Sequence, residues 1–361
     1  MAIHGRLAHR FVALLLTGLF VLAGPIPAEA KRKTGCADRK NRVLSTKGRL
    51  GLRGVYALPR KKPKALVVFT HGYRKPATAY WRGHLRRAAK RGVLAVAMDY
   101  RGIGGAPDYR GWNVRAGAAD SIAAARHFWA RCRTLRTVVL VSVSMGGNTA
   151  GLALAAKPTR TPRRVPPPPG APCPCPAPPL FDHWVSIEGA LNVTETYLAA
   201  VAAEPSDPYI AGARQDIERE MGGTVAEVPD RYREATIVAR ADDVAASGVR
   251  DVTIVHGLED GLVPYDQSRE MAEALRARRV PLDVFTVLGR GQGEDGTVLT
   301  GHALGGAGWQ SPFAGHGSEE DRHHMVIKTG FDRLWAILGG ATVGPDRDFV
   351  TDGTLGTHPA P

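Results

Sequence analysis

Short apolar runs and longer amphipathic ones alternate along most of this chain. Residues 65–70, 93–98, 138–143, 183–187 and 251–255 are compact stretches rich in Val, Ile, Leu and Ala. Runs of that length and composition predict buried strands. Residues 50–58 alternate enough to predict a first strand, and residues 281–288 predict a last one. Residues 78–91, 117–130, 267–278 and 323–338 carry helical spacing, the last stopped by Gly339-Gly340. Strands alternating with helices predict an α/β fold with a doubly wound, mostly parallel sheet. In such sheets ligands gather at the carboxyl ends of the strands.

Four stretches interrupt the alternation. Residues 158–180 hold eleven prolines in 23 positions, which no helix or central strand tolerates, so they read as an extended surface insertion. Residues 192–247 have helical patterns and no apolar strand, and predict a small helical cap above the sheet. In that cap Tyr197, Leu198, Tyr209 and Ile210 are available to line a pocket. Residues 289–320 form a long, glycine-rich loop. Residues 31–47 read as a basic N-terminal arm, and residues 341–361 as a C-terminal tail.

The first thirty residues change the setting. Arg6 and Arg10 precede an apolar run over residues 11–24, followed by small residues at Ala28 and Ala30. That is the pattern of a bacterial-type secretory signal peptide, so a secreted, extracellular protein cleaved after Ala30 is expected. The run is shorter than the ~18–20 residues of a membrane span. No later run is longer, so no transmembrane span is expected after cleavage. In an oxidising compartment Cys36, Cys132, Cys173 and Cys175 can pair in three ways. A Cys36–Cys132 bridge would tie the arm to the main domain. Two close sulfurs with no matching pair predict no metal site.

Of 361 residues, 44% are hydrophobic, enough for one large domain and unlike a disordered chain. The net charge is +14. Such a charge suits anionic polymers, lipid headgroups or acidic substrates, and it also keeps a protein soluble. No zinc-finger or aromatic-plus-basic motif points to nucleic acid.

The chemistry centres on residues 138–154. An apolar strand ends in Ser142-Val143-Ser144-Met145-Gly146, and a helix follows. Strand, tight turn, helix is the setting in which G-x-S-x-G exposes a nucleophilic serine. Ser142 stands where the first glycine of that pattern would be. A serine hydroxyl needs a base, an acid to orient the base, and donors for an oxyanion. The acid candidate is Asp260, after a buried strand and before Gly261, with Glu259 its rival. The base is one of His302, His316, His323 and His324. His316 is preferred for its flanking glycines, and His324 is the alternative. Oxyanion donors would be the backbone N–H groups of Met145 and Tyr73. His71 reads as a structural brace. Glu188, at the end of the 183–187 strand, reads as a structural carboxylate or a ligand for a substrate amine.

These residues resemble the α/β-hydrolase superfamily over about residues 48–340. The matching pieces are His71-Gly72-Tyr73, Asp99-Tyr100-Arg101-Gly102-Ile103-Gly104, Ser142 to Gly146, and the His-Gly-x-x-Asp-x-x-Val-Pro pattern of residues 256–264. The last also resembles the acid loop of prolyl-oligopeptidase-type domains. The resemblance implies a serine esterase acting on a small-molecule or lipid-like ester, with catalytic Ser144, Asp260 and His316 and no cofactor. It leaves open a peptidase or acyl-peptidase, and a non-catalytic protein of this fold that binds an anionic cell surface. Oligomeric state is open as well.

Overall fold

The computed structural model describes residues 36, 43–45, 52–102, 108, 110–160, 177–203, 208–288, 315–320, 324–351 and 358–359. The expected signal segment, most of the proline-rich insertion, Cys173, Cys175, His302 and His323 lie outside them. The chain divides into Met1–Thr34 and a unit over Gly35–Pro361, and the sheet and its helices belong to the second.

Its centre is a sheet of ten strands in the order β1-β2-β4-β3-β5-β6-β7-β8-β9-β10. They are β1 (Val43–Ser45), β2 (Arg53–Ala57), β3 (Ala65–Thr70), β4 (Leu94–Asp99), β5 (Thr137–Val143), β6 (His183–Ile187), β7 (Asp251–Gly257), β8 (Leu282–Val287), β9 (Asp346–Thr351) and β10 (His358–Pro359). The strands from β4 across to β9 are parallel, while β1, β2 and β10 pair antiparallel. The central strands are buried along nearly their whole length, because helices cover both faces.

Side chains alternate between two cores, as the period of a strand requires. Leu66, Val68, Val138, Leu140, Trp184 and Ile254 face one core. That core is covered by α2 (Val114–Arg131), α3 (Met145–Ala155) and α8 (Tyr265–Ala277). Val67, Phe69, Val139, Val141, Val185 and Val255 face the other. It is covered by α1 (Arg86–Lys90) and α9 (Met325–Leu338). Between β6 and β7 the chain forms α4 (Val193–Ala203), α5 (Pro208–Met221), α6 (Pro229–Ala235) and α7 (Ala241–Ala245), with no strand among the described residues of that stretch.

The structure corrects the expected ends of the domain. The sheet does not finish at β8. The segment expected to be a tail supplies β9, parallel to β8 in a register that pairs Leu282 with Asp346 and Val287 with Thr351. Its exposed, charged start hid it from a search for apolar runs. At the other end, the expected arm supplies β1. The helix expected over 78–91 is a 3₁₀ turn at Ala77–Tyr80 and a π turn at Trp81–Leu85 before the short α1. Cys132 is buried and its thiol donates to the Cys36 carbonyl oxygen at 3.1 Å, and the expected bridge between the two sulfurs is not formed.

Asp283 fastens β9. It is fully buried in β8 and accepts hydrogen bonds from Arg333 of α9 and from Arg347 Nε and Nη2 of β9 at 2.8 Å. Removing one partner of a buried pair costs about 3–5 kcal/mol. Arg347 is 41% exposed and can return to water, so Asp283→Ala is expected to cost about 3 kcal/mol, the low end of that range. Urea unfolding checks this, and a change below 1 kcal/mol would mean that β9 is held by other contacts.

Candidate active site

At the carboxyl end of β5 the chain turns into α3 through Ser144, which has φ 54° and ψ −128°. An L-residue is rarely found there. Backbone bonds on both sides hold it: Ser144 N–H donates to Ile187 O at 3.0 Å, and Ser144 O accepts from Gly147 N–H and Ala190 N–H at 2.8 and 3.0 Å. The turn brings α3 hard against β3. A Cβ on Gly146 would lie 2.2 Å from the Thr70 carbonyl oxygen, so only glycine fits there. Ser142 is accommodated because its hydroxyl has work of its own, accepting from Trp184 Nε1 at 3.0 Å and donating to Val185 O at 3.3 Å. Met145 is the first residue of α3, so its N–H has no acceptor within the helix.

Asp260 follows β7 and is held by its own turn. Its Oδ1 accepts from the N–H groups of Leu262 and Val263 at 2.9 Å. Its Oδ2 lies 2.7 Å from His316 Nδ1 and 3.2 Å from His256 Nε2. His256 is fixed in turn by Ser268 Oγ at 2.6 Å and by Val263 O at 2.9 Å. The rival acid, Glu259, is exposed. His316 is buried, and the bend that aims it needs the preceding glycine: Gly315 has φ +101°, and a Cβ there would meet Glu259 O at 2.6 Å. His324 is buried at the N-cap of α9, where a Cβ on Gly317 would approach its Nδ1 to 2.8 Å. Of these two histidines, His316 is the one against Asp260.

Glu188 completes the cluster. It ends β6 with φ 47° and is fully buried. Its Oε2 accepts from Gly317 N–H at 2.6 Å and lies 3.6 Å from His316 Nδ1. The imidazole therefore faces two carboxylates, from the ends of neighbouring strands β6 and β7. Among the described residues, Glu188, Asp260 and His316 are the group whose ligand atoms lie close enough to hold a cation, within 4.8 Å of one another.

The loop after β3 lies across from Ser144. Gly72 N–H donates to Glu319 Oε1 at 2.7 Å, and a Cβ on Gly72 would lie 3.4 Å from Ser144 Cβ. His71 stacks on Tyr100 with ring centroids 3.9 Å apart and donates from Nδ1 to Gly72 O at 2.9 Å. Burial pushes its pKa down to about 4, so it is a neutral brace. Tyr73 follows in the same loop and sends its side chain to the cap, where the hydroxyl donates to Asp216 of α5 at 2.5 Å.

A cavity of about 100 Å³ opens at Ser144 between the loops and the cap. Tyr73 and Trp112 form one wall, Ala199, Ala200 and Ala203 of α4 another, and Tyr209, Ile210 and Ala213 of α5 a third. Tyr209 and Ile210 take the lining role expected of them. Tyr197 and Leu198 do not: Tyr197 donates its hydroxyl to Glu218 at 2.7 Å and Leu198 is 51% exposed. Residues 196, 199, 200 and 203 share one helical face, which turns 197 and 198 away.

The serine aminopeptidase S33 family model matches residues 61–165, a stretch from before β3 to beyond α3 that contains Ser144. No curated protein sequence matches the chain. A puromycin-hydrolysing peptidase of Mycobacterium tuberculosis superposes with a TM-score of 0.51 at 18% identity, over 84% of this chain and 40% of that one. A puromycin hydrolase superposes with a TM-score of 0.50 at 18% identity, over 81% and 38% of the two chains. The chain thus spans about two fifths of the length of these neighbours. At such identities the likeness is one of fold, and it agrees with the strand order and with the turn at Ser144. This chain has the α/β-hydrolase fold.

Within this hydrolase fold, sequence reading did not find Glu319 or the pairing of Glu188 with His316. The Gly72–Glu319 contact joins residues 247 apart, and no local pattern announces it. Glu188 did carry a signal, an acid at a strand end, though without its partner.

The electrostatics follow from the geometry. Burial alone would raise the Asp260 carboxyl, but His316 and His256 outweigh it and hold the group below the usual carboxylate range. Burial pushes Glu188 up to about 8, helped by the Asp260 charge and opposed by His316. Burial would lower His316, but Asp260 and Glu188 together raise it to about 9. Only the neutral imidazole can accept a proton, so the acid limb of kcat/KM is expected above the ordinary 6.5, toward about 9. Glu188→Gln removes one of the two charges that favour the imidazolium. It is expected to move that limb to lower pH by about one unit. A pH profile of the two proteins checks this, and coincident limbs would mean that Glu188 does not act on His316.

Proposed function

We propose that this chain is a serine hydrolase that cleaves a carboxylic ester through an acyl-enzyme. The observation that carries the proposal is Ser144, strained at the strand-to-helix turn and opening onto an apolar cavity. His316, with Asp260 on its Nδ1, takes the proton from Ser144 Oγ as the hydroxyl attacks the ester carbonyl. The N–H groups of Met145 and Tyr73 receive the oxyanion of the tetrahedral intermediate. His316 then gives the proton to the departing alcohol, leaving the acyl group on Ser144. Water, deprotonated by the same imidazole, releases the acid and restores the serine. No metal or organic cofactor enters these steps.

An acyl group of modest size suits a cavity walled by alanines. Among the described residues that wall carries no acidic side chain, which fits a small-molecule or lipid-like ester, since an aminopeptidase needs a carboxylate for the substrate's amine. A second reading, a peptidase or acyl-peptidase, is favoured by the match to the serine aminopeptidase model. The reading also includes export, on the strength of the N-terminal basic-apolar-small pattern.

A panel of p-nitrophenyl esters of rising chain length, run beside aminoacyl p-nitroanilides, separates the two. Turnover of short to medium esters and none of the anilides is expected. Ala203→Phe is expected to move the preferred acyl chain to a shorter one, because α4 presents that residue to the cavity. Faster anilide than ester turnover would favour the peptidase. An unchanged chain-length profile would count against acyl binding in this cavity.

A further inference from the structure

The other edge of the sheet carries the chain's charge. Parallel strands β4, β3 and β5 are neighbours, so the segments that enter them lie side by side within about 10 Å, given a spacing of about 4.8 Å per strand. Arg60, Lys61, Lys62 and Lys64 occupy the segment into β3, and all four are exposed. Exposed Lys90 and Arg91 end α1 ahead of β4, with Arg86 and Arg87 one turn earlier. Exposed Arg133 and Arg136 lie ahead of β5. The segments are tied together, for Thr134 Oγ1 donates to Pro63 O at 2.7 Å and Arg136 N–H to Lys64 O at 2.6 Å.

Residues 58–64, 86–93 and 131–136 contain no Asp or Glu. Among the described residues, Arg60, Lys61, Lys62, Lys64 and Lys90 form no ion pair with a carboxylate. The next acid along the edge, Asp182 ahead of β6, is already taken by Arg160 and Arg250. Elsewhere several surface cations are matched, as Arg233 is with Asp230 and Arg269 with Asp266 and Glu273. So many unmatched like charges repel one another, and a polyanion would relieve that repulsion.

The shape says which polyanion. Arg60, Lys61, Lys90 and Arg91 line a hollow between the β3 and β4 segments, and a flexible chain can lie in it. The large apolar side chains exposed among the described residues are Leu198, Val201, Leu258 and Leu288. All belong to α4 or to the carboxyl ends of β7 and β8, so this edge has no wedge for a bilayer. No aromatic side chain is among them, and the ring beside the hollow, half-buried Trp335, already has the Arg91 guanidinium over its face at 4.5 Å, so that face is not free to stack on a base. We infer that the basic amino edge of the sheet is a docking surface for a flexible, phosphate-bearing polymer in water. β3 runs six residues between this surface and the loop facing Ser144, a distance of about 20 Å. A docked molecule therefore keeps its active-site mouth turned away from the polymer and open to substrate.

The test uses the full chain and end-labelled inorganic polyphosphate, with binding followed by fluorescence anisotropy between 50 and 300 mM salt. Lys61→Gln/Lys62→Gln/Lys90→Gln neutralises three docking charges. Arg231→Gln/Arg233→Gln/Arg269→Gln removes the same net charge from exposed sites elsewhere, on α6 and α8. The first variant is expected to bind at least about tenfold more weakly at 50 mM salt, with a log–log salt slope shallower by about 2, at about 0.7 per lost contact. The second variant is expected to bind like the wild type, and both are expected to keep the wild-type ester turnover. Equal loss in the two variants would reduce the effect to net charge and overturn the inference. Tighter binding to anionic phospholipid vesicles, or to single-stranded DNA of equal charge, would overturn it in favour of a membrane or a nucleic acid.

Discussion

At the end of β5 the chain reverses into α3 through one residue, and Ser144 bears that reversal in a conformation that costs about 1–3 kcal/mol. Every element around it is arranged so that no relaxed alternative is open. Its N–H is taken by β6 and its carbonyl by Gly147 and Ala190. Gly146 behind it sits against Thr70 O, where no side chain fits. Thr70 Oγ1 also donates to Gly146 O at 2.9 Å, which ties β3 to the first turn of α3. The result is a hydroxyl standing clear of the sheet beside a helix N-terminus, where the unpaired N–H groups favour negative charge.

The second constraint is that one short segment serves two sides of the site. Residues 315–320 deliver His316 to Asp260 and Glu188, and three residues later Glu319 takes Gly72 N–H. Lys75 adds an ion pair to Glu320 at 3.1 Å, and His84 Nε2 donates to Glu319 O at 2.8 Å. The proposed base and the proposed oxyanion loop are thus positioned by the same few residues. A shift of that segment would misplace both, which couples proton transfer to charge stabilisation. The cap is joined to the same loop from above through Tyr73 and Asp216.

Much of this was legible because the signals are local. Apolar strand runs, the turn at Ser142 to Gly146 and the acid at Asp260 each declare themselves within ten residues. The preference for His316 rested on its glycines, and Gly315 does adopt the left-handed backbone that such a loop needs. What was hidden is non-local or exposed. β9 begins with charged, exposed residues and is held by ion pairs to Asp283, so no apolar pattern betrays it. The wall of alanines on α4 reads from sequence as an ordinary helix, and only its packing over Ser144 makes it a cavity wall. Residues 197 and 198 do not line the pocket because they lie off the helical face that carries residues 196, 199, 200 and 203.

The sheet separates two kinds of surface, with a strained serine and apolar cavity at its carboxyl edge and unmatched cations at its amino edge. The strained serine is tested most directly by labelling with a fluorophosphonate, followed by peptide mapping by mass spectrometry. Displacement of fluoride by an activated serine is expected to place one phosphonyl group on Ser144, and to fail in His316→Ala. A label on any other residue, or an unlabelled wild-type protein that remains folded, would contradict the assignment of Ser144 as the nucleophile.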